Sequence, residues 1–410
     1  MGKSNRRNFL RKAVTGAASA GLIGMTLDSK SLLKPVENKN SKEGKLIFRT
    51  LGRTGIKVPV VSMGVMNSDV PELIKESYKL GIRHFDTAWI YQQGNNEKMV
   101  GQAIKEIGAN RNELIIATKI IIKASSTSLV MNKESKELFL KRFAESLVRL
   151  QMDYVDILYY HDVKDKEMAN NPYIIEALTE LKNKNQVRFT GISTHVDWPE
   201  ILNTVAEKGF YDVALISYNY SMNGTQTYID AMKNAVSKGM GLVAMKTQCQ
   251  QSWYRDNLPG ELKRFYEGQI RHTALLKWVL NNEYITTAIP GYTTFQQMEE
   301  NFSVATNLEY SKEEKEFLEN RNVKLALLGN CQMCGHCRKS CPNNTDIPNL
   351  MRTHMYATSY GDGYKAKETL QSISSDQSLN KCKNCDTCIA QCIREVKIAK
   401  KISELKILYG

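Results

Sequence analysis

Eight of the nine cysteines form two repeats of a single spacing near the end of the chain. The repeats follow the pattern C-x2-C-x2-C-x3-C and consist of Cys331, Cys334, Cys337 and Cys341, then Cys382, Cys385, Cys388 and Cys392. Thiolates at this spacing suit an iron–sulfur cluster better than a disulfide framework. Structural zinc is the alternative, but such a site takes four ligands in total, usually from paired C-x2-C knuckles. Two full quartets exceed that need, so the spacing favours two 4Fe–4S clusters.

This spacing resembles that of the two-cluster ferredoxins, in which the fourth cysteine of each repeat binds the other repeat's cluster. The resemblance implies one cluster on Cys331, Cys334, Cys337 and Cys392, and a second on Cys341, Cys382, Cys385 and Cys388. The interval between Cys341 and Cys382 is too long for a compact ferredoxin, and helical patterns occur in it at 347–357 and 364–372. Residues 321–410 are therefore expected to form a small α-helical ferredoxin-like domain. The ninth cysteine, Cys249, is interpreted as an ordinary thiol.

A second set of reactive residues lies at the ends of predicted strands earlier in the chain. These residues are Asp86, Tyr91, Lys119 and His161. Three of them end an apolar run, and the tyrosine follows Asp86 by five residues. A polar group at the carboxyl end of a strand in a parallel barrel points into a shared cleft. Each residue alone is more simply a solvated strand end, but the joint pattern indicates an active site.

The chemistry that this set could perform is carbonyl reduction. Hydride transfer to a carbonyl leaves an alkoxide, which needs a proton and a polarising donor. Tyr91 is the candidate general acid, and we expect the ammonium group of Lys119 to lower the pKa of its phenol. Asp86 would keep Lys119 charged and oriented. His161 would orient or polarise the substrate oxygen through a neutral ring nitrogen.

The elements that must position these residues alternate between short apolar runs and longer helical patterns from residue 46 to about 310. Strands are predicted at 58–64, 83–86, 114–119, 155–161, 187–193, 213–218, 241–246 and 286–290. Helices are predicted between them at 71–80, 97–107, 133–150, 172–183, 199–208 and 226–238. Eight successive βα units indicate an α/β chain closed into a (β/α)8 TIM barrel. An open doubly wound sheet is the alternative, but residues 61–65 lack its glycine-rich phosphate loop. Residues 46–59 are expected to form a hairpin beneath the barrel.

The order of Asp, Tyr, Lys and His on these strands resembles the catalytic tetrad of the aldo-keto reductases. The likeness covers about residues 46–305 and includes LGRTG at 51–55 and GISTH at 191–195. It implies a carbonyl or alcohol oxidoreductase that binds a nicotinamide dinucleotide, NAD(P)(H), extended across the rim of the barrel. The same resemblance implies that Ser193 and Thr194 lie near the carboxamide and Lys246 near the phosphates. It also implies that Thr293, Glu300 and Asn301 surround the adenosine end.

The sequence departs from that family at two places, and the second of them weakens the expectation of NADP as cofactor. Leu215 stands where a glutamine often contacts the carboxamide. Gly291 and Gln297 stand where a lysine and an arginine usually bind the 2′-phosphate. Hydrogen bonds to a charged group are stronger than those between neutral groups. Without the lysine and the arginine, the 2′-phosphate therefore adds little to the binding free energy. We therefore expect a weaker preference for NADP than the family usually shows.

Residues 1–30 have the pattern of a targeting signal, and residues 31–45 that of a linker. Arg6 and Arg7 precede Phe9 and Leu10, and a weakly apolar stretch rich in Ala and Gly follows up to Leu27. The stretch is too short and too weakly apolar for a membrane span of about 20 residues. The pattern resembles a twin-arginine signal, which implies export of the folded protein by the twin-arginine machinery to the periplasm or cell envelope. A basic N-terminus on a cytoplasmic enzyme is the alternative.

The formal net charge of +13 is concentrated at the two ends of the chain. About +7 lies in residues 1–45 and about +7 in residues 320–410, so the middle of the chain is close to neutral. This distribution argues against a nucleic-acid groove on the barrel, which would need Lys and Arg on the binding element itself. The basic C-terminal region suits either an acidic redox partner or a solvated surface.

These patterns together predict a barrel at 46–320 and an iron–sulfur domain at 321–410. The leading hypothesis is an oxidoreductase of a small carbonyl or alcohol substrate whose clusters exchange electrons with a partner protein. The alternative is an electron-transfer or scaffold protein whose barrel has lost turnover, and the complete tetrad favours the enzyme. Aromatic residues in the loops, Tyr173, Trp253 and Tyr254, suit a sugar or another ring as substrate.

Overall fold

A hairpin lies below the barrel at the start of the described chain. The computed structural model describes residues 45–122, 132–248, 271–320, 323, 331–383, 385 and 387–410. Strand β1 (Phe48–Thr50) pairs antiparallel with β2 (Lys57–Pro59), as the sequence predicts. Leu51 in the connecting turn is fully buried against Gly241, where a barrel strand begins. Gly52 has a φ of +50°, and a Cβ there would lie 2.3 Å from the Gly241 nitrogen, so this approach requires glycine.

Eight parallel strands follow in the described ranges, each hydrogen-bonded to its neighbours in chain order. They are β3 (Met63–Gly64), β4 (His84–Asp86), β5 (Ile115–Ile120), β6 (Val155–Tyr160), β7 (Val187–Thr194), β8 (Val213–Ser217), β9 (Gly241–Met245) and β10 (Thr287–Ala288). A parallel bridge between Val61 and Ala288 joins the last strand to the residues just before β3. The sheet therefore closes into the predicted (β/α)8 barrel, and the carboxyl ends of its strands share one rim.

The first predicted strand is divided in the structure. The sequence predicts one strand over 58–64, but Lys57–Pro59 belong to the hairpin and only Met63–Gly64 pair within the barrel. Between them, the Val60 N–H donates to the Ile47 carbonyl at 2.9 Å. A continuous apolar run has no period that marks where the chain passes from one sheet to another. The prediction of a single strand is wrong for that reason.

The helices around the barrel agree closely with the sequence pattern. They are α1 (Pro71–Lys79), α2 (Asn95–Ile107), α3 (Lys133–Leu150), α4 (Lys166–Ala169), α5 (Pro172–Asn183), α6 (Trp198–Lys208), α7 (Gln226–Ser237), α8 (His272–Leu280), α9 (Phe295–Thr306) and α10 (Lys312–Glu319). Helix α3 begins with a capping box formed by Asn132 and Ser135, and α6 ends at Gly209 in the left-handed conformation. These caps satisfy backbone groups that a helix end leaves unpaired. None of the helices in the described ranges is long and apolar enough to cross a membrane.

The C-terminal segment, residues 331–410, packs on the barrel within one compact unit. Its described helices are α11 (Ile347–His354), α12 (Gly363–Gln371) and α13 (Ile398–Tyr409), and a π-helical turn (Met355–Ser359) continues α11. The helices predicted at 347–357 and 364–372 correspond to α11 with its π-helical turn and to α12. The Asp197 N–H of the barrel donates to the Met333 carbonyl at 2.9 Å, which is one of the contacts that dock the segment.

Candidate active site

Asp86 and Lys119 form a buried ion pair at the rim of the barrel. Asp86 ends β4 and Lys119 lies in the adjacent strand β5, so their side chains meet between neighbouring strands. Each is 1% exposed. The Lys119 ammonium donates to the Asp86 carboxylate and, at 2.6 Å, to the Thr87 carbonyl. Burial lowers the pKa of Lys119, and the Asp86 carboxylate opposes that shift. The pair places a positive charge at a fixed position inside the barrel.

Tyr91 begins a 3₁₀ turn (Tyr91–Gly94) that follows β4. Lys119 Nζ lies 3.4 Å from its hydroxyl oxygen and donates to it. Gln92 and Gln93 in the same turn have φ values of 49° and 57°, which residues other than glycine seldom adopt. Strained backbone of this kind is concentrated at functional sites. The turn therefore holds the tyrosine hydroxyl beside the buried ion pair.

The expected lowering of the Tyr91 pKa is not found. Burial first, and the Asp86 carboxylate second, raise the pKa of Tyr91 well above its ordinary value. The charge of Lys119, which is also paired with Asp86, does not outweigh these two effects. Tyr91 is thus a neutral phenol near pH 7. It can donate a hydrogen bond to a carbonyl oxygen and release its proton to a strong base such as an alkoxide.

His161 faces Tyr91 from the end of β6. The two ring centres are 6.2 Å apart in an edge-to-face arrangement. His161 Nδ1 is hydrogen-bonded to Ser193 Oγ at 2.9 Å, which fixes the orientation of the ring. Burial first, and then the charge of Lys119, lower the pKa of His161 well below its ordinary value. The neutral ring can therefore orient a substrate oxygen without adding a charge to the site.

A cavity of about 870 Å³ opens over the tetrad. Asp86, Tyr91 and His161 line it on the barrel side. Residues of the C-terminal segment form a further part of its wall, among them Arg352, Tyr356, Tyr360, Asp362, Lys365 and Glu368. The volume lies in the range of small-molecule and cofactor sites. The sequence pattern treats the C-terminal segment as a separate domain, so this contribution to the cavity was missed.

The two residues predicted to lie near the carboxamide bond to the protein itself. Ser193 Oγ accepts from the Asp162 N–H at 3.1 Å, in addition to its bond with His161. Thr194 Oγ1 donates to the Val196 carbonyl at 3.2 Å. Ser193 thus positions His161 in this structure, a role that the sequence analysis did not predict.

Lys246, predicted to lie near the phosphates, follows β9 and lines the cavity. Its Nζ donates to the Tyr356 hydroxyl at 2.5 Å and so contacts the C-terminal segment. Burial first, and then the charge of Arg352, lower the pKa of Lys246 to about 7. The structure therefore brings this lysine to the cavity but pairs it with a residue that the sequence analysis did not single out.

The residues predicted at the adenosine end are only partly brought together. Thr293 lines the cavity, and its backbone N–H donates to Gln297 Oε1 at 2.8 Å. Asn301 is buried and accepts from Gln248 at 3.0 Å, whereas Glu300 is half-buried on the same helix, α9. Asn301 Nδ2 has no hydrogen-bond partner among the described residues. Neither Glu300 nor Asn301 is among the residues that line the cavity, so of the three only Thr293 is placed where a nucleotide in the cavity could contact it.

Arg352 of α11 forms a buried ion pair with Asp162, the residue that follows His161. Its two terminal nitrogens donate to the Asp162 carboxylate at 3.0 and 3.2 Å, and the two side chains are 8% and 6% exposed. His195 Nδ1 lies 3.1 Å from the same carboxylate. Burial would raise the pKa of Asp162, but Arg352 and His195 outweigh it and lower the pKa well below its ordinary value. The pair was missed because its members are 190 positions apart in the sequence.

The cysteines fall into two groups in space. Cys331, Cys334, Cys337 and Cys392 line one small cavity. Cys382 interacts electrostatically with Cys341, Cys385 and Cys388. Each group thus combines the first three cysteines of one repeat with the fourth cysteine of the other repeat. These are the groups that the ferredoxin resemblance implies.

The chemistry of these thiols fits a metal cluster. Burial is the main cause that raises the pKa of both Cys331 and Cys337 to about 12, so each keeps its proton unless a metal replaces it. Among the described residues, no cysteine forms a disulfide. In the same ranges, no three His, Cys, Asp or Glu side chains are arranged around a single metal ion. A 4Fe–4S cluster holds its cysteine thiolates farther apart than a single metal ion does, so cysteines spaced for a cluster would not be grouped around one ion.

Comparisons with known proteins agree on one family. A model of the aldo/keto reductase family matches residues 61–258. L-galactose dehydrogenase of Arabidopsis thaliana is 31% identical over 65% of this chain and 90% of its own length. L-glyceraldehyde 3-phosphate reductase of Escherichia coli O157:H7 is 24% identical over 66% of this chain and 91% of its own.

The solved structures show the same fold. An aldo-keto reductase of Bacillus halodurans in its holo form covers 68% of this chain and 100% of its own, with a TM-score of 0.53 and 21% identity. At that identity the likeness shows the fold alone, and the family follows from the sequence relatives. The chain belongs to the aldo/keto reductase family and is an NAD(P)-dependent oxidoreductase of carbonyl and alcohol groups.

Proposed function

We propose that this enzyme interconverts a small carbonyl compound and its alcohol in the rim cavity while two 4Fe–4S clusters exchange electrons with a partner protein. The main support for this proposal is the composition of the rim cavity. Asp86, Tyr91 and His161 line it, Lys119 is bonded to the first two, and the segment that contains both cysteine groups forms part of the same wall. An intact tetrad supports turnover rather than a purely structural barrel.

The residues of the tetrad have distinct roles in the reduction. A bound nicotinamide supplies the hydride. The Tyr91 hydroxyl and the His161 ring hold the carbonyl oxygen and polarise it. As negative charge develops on that oxygen, Tyr91 transfers its proton there, because an alkoxide is a far stronger base than a tyrosinate. The Lys119 ammonium, 3.4 Å from the phenol oxygen, stabilises the tyrosinate that forms. Alcohol oxidation uses the same groups in reverse.

The dinucleotide would be held along the rim by Thr293, which lines the cavity, and, as the family resemblance implies, by Asn301. Thr247 Oγ1 adds a second buried polar atom without a partner among the described residues, and Thr247 lines the cavity. Gly291 and Gln297 also line it and carry no charge for a 2′-phosphate. We infer that NAD(H) binds at least as tightly as NADP(H).

Fluorescence titration with both reduced nucleotides tests this cofactor preference. Gln297→Arg should strengthen NADPH binding about tenfold and leave NADH binding nearly unchanged, because a charge-assisted contact forms only with the 2′-phosphate. A wild-type protein that binds NADPH much more tightly than NADH would contradict the inference.

The clusters would be held by the two cysteine groups, one with Cys392 and the other with Cys341. Such clusters supply and accept single electrons. The net positive charge of residues 320–410 suits an acidic redox partner, since complementary charge speeds and orients encounter.

We further propose export through the twin-arginine route, on the sequence around Arg6 and Arg7, which lies outside the described residues. Clusters are inserted in the cytoplasm, so a protein that carries them must be exported folded. The cell envelope has no recycled pool of free nicotinamide. The enzyme would therefore carry its nucleotide with it, or draw electrons through the clusters.

Anaerobic purification of the full chain tests the proposal. Iron and sulfide analysis, an absorption spectrum and nucleotide release by denaturation should give about eight irons per chain and a retained NAD(H). Eight irons with no nucleotide, and none bound on addition, would favour the electron-transfer or scaffold alternative. Gly291 and Gln297, which carry no charge for a nucleotide phosphate, support that alternative.

A further inference from the structure

A second tyrosine and lysine pair lies in the same cavity as the tetrad. Tyr356 comes from the π-helical turn of the C-terminal segment and is 4% exposed. Its hydroxyl oxygen accepts from Lys246 Nζ at 2.5 Å, and both residues line the cavity. Tyr91 and Lys119 show the same arrangement, with a lysine at the carboxyl end of a barrel strand donating to a phenol oxygen. The cavity thus contains two phenols of the same kind.

The Tyr356 hydroxyl is available to a ligand. When Lys246 carries its proton it donates to the Tyr356 oxygen, which leaves the phenol's own hydrogen for another acceptor. Among the described residues, no acceptor is bonded to that hydrogen. A buried hydroxyl without an acceptor is costly, so a ligand oxygen that fills this role would bind favourably.

The two phenols share one neighbouring cation, Lys365. Lys365 Nζ lies 5.5 Å from the centre of the Tyr91 ring and 5.9 Å from that of the Tyr356 ring. One ammonium group therefore reaches both rings. A substrate whose carbonyl lies against Tyr91 and whose chain extends past Lys365 would bring a second oxygen toward Tyr356.

The position of Tyr356 is fixed by contacts on both sides of it. Arg352, one helical turn before it, forms the buried two-point contact with Asp162. Beyond it, the Tyr364 hydroxyl accepts from Gln93 Nε2 at 2.9 Å, and Gln93 belongs to the turn of Tyr91. A binding group held from both sides loses little conformational entropy when a ligand arrives.

The partner that matches this pair is a hydroxyl group. The pKa of Lys246 is lowered to about 7, so near neutral pH the amine exists in both protonation states and Tyr356 is either donor or acceptor. A hydroxyl can donate and accept, and so fits either state, whereas a phosphate or carboxylate mainly accepts. Asp362 and Glu368 line the cavity together with Arg352 and Lys365, so charges of both signs face the ligand and neither sign of substrate charge is favoured by the lining alone.

We propose that Tyr356, held by Lys246, binds a second oxygen of the substrate, and that the substrate is an uncharged polyhydroxylated carbonyl compound or its polyol. The inference rests on the proposed carbonyl chemistry at Tyr91. It assigns part of the active site to the C-terminal segment.

Substrate selectivity tests the proposal. D-Erythrose and butanal have the same number of carbons and differ in their hydroxyl groups. In the wild-type holoenzyme kcat/KM should favour erythrose, and Tyr356→Phe should reduce that preference about tenfold by removing one hydrogen bond. Tyr154→Phe, just before β6 and outside the cavity lining, is the matched control and should keep the preference. A Tyr356→Phe preference equal to that of the wild type would overturn the proposal.

Equilibrium binding separates this inference from the proposed function. Calorimetric titration with erythritol should show about tenfold weaker binding to Tyr356→Phe than to the wild type. If the wild type reduces neither aldehyde with either nucleotide but shows this loss, the proposed function fails and the subsite stands. If both aldehydes are reduced and erythritol binding is the same in both proteins, the subsite fails and the function stands.

Discussion

Tyr91 remains protonated because the charge of its nearest cation, Lys119, does not outweigh burial and the Asp86 carboxylate. Lys119 donates to Asp86 and to the Thr87 carbonyl as well as to the phenol oxygen, so its charge is shared among three acceptors. Burial then dominates and raises the pKa of Tyr91. Lys119 considered alone would shift the pKa of Tyr91 in the opposite direction, which is why the expectation from sequence is wrong. At the scale of the residue, the raised pKa of Tyr91 suits the proposed role, in which the phenol gives up its proton only to a base as strong as an alkoxide.

Replacing Tyr91 by phenylalanine should remove the proton donor while the shape of the cavity is kept. We expect kcat for carbonyl reduction to fall by about 10² to 10⁴, the usual contribution of a general acid. KM should change little, because His161 and the rest of the cavity remain. Steady-state kinetics measures both constants, and nucleotide titration checks that the variant still binds its cofactor. An unchanged kcat in Tyr91→Phe would remove this residue from the catalytic role.

Strand ends could be predicted because local pattern determines them. Asp86 and His161 each terminate or directly follow an apolar run, and the barrel's closure brings such ends to one rim. Helix α3 coincides with its predicted range because an Asn132 cap and a regular apolar face mark it. The division of 58–64 could not be predicted, because it depends on pairing with residues far away in the chain.

Helix α11 borders both candidate centres. Pro348 and Met351 line the cavity of the first cysteine group, and Arg352 lines the active-site cavity. With side chains, an α-helix is roughly 10 Å across, so about one helix separates the two cavities. This element therefore couples the docking of the C-terminal segment to the geometry around His161, through Arg352 and Asp162.

Replacing Arg352 by methionine should destabilise the docked segment strongly. The change leaves the Asp162 carboxylate buried and lacking its main partner, which costs about 3–5 kcal/mol. Urea unfolding should show this loss, and the double variant Asp162→Asn with Arg352→Met should recover part of it, because the charge is then gone. A wild-type unfolding midpoint for Arg352→Met would contradict the assignment.

Acid should weaken the same contact. The pKa of Asp162 is lowered in the folded state, so its contribution is fully present above the ordinary value of 3.8. The contribution is lost as the pH falls through the lower, folded-state pKa. The unfolding free energy of the wild type should therefore fall more steeply below pH 4 than that of the double variant.

At the scale of the whole molecule, the active site belongs to two parts of the chain. The barrel supplies the tetrad, and the C-terminal segment supplies Arg352, Tyr356 and Lys365 to the same cavity. Composition and spacing identify each part, because barrel strands and cysteine repeats have local signatures. They do not show which surfaces meet, since a contact such as Tyr356 with Lys246 has no local pattern.

The crossed grouping of the cysteines predicts which of the two proposed clusters each thiol would bind. Cys334 and Cys392 line one cavity although they belong to different repeats, whereas Cys385 belongs to the other group. Cys334→Ser and Cys392→Ser should therefore remove the same paramagnetic signal from the reduced protein. Cys385→Ser should remove the other signal. Each variant should lose up to about four irons.

Electron paramagnetic resonance of the full-length reduced variants, with iron analysis, measures this directly. Cys249→Ser is the matched control and should keep both signals, because this cysteine lies outside the repeats. If Cys392→Ser removed the signal that Cys385→Ser removes, each repeat would bind its own cluster and the crossed grouping would be wrong. If both Cys334→Ser and Cys392→Ser remove the signal that Cys385→Ser retains, the first cluster lies against α11, beside the helix that also lines the active-site cavity.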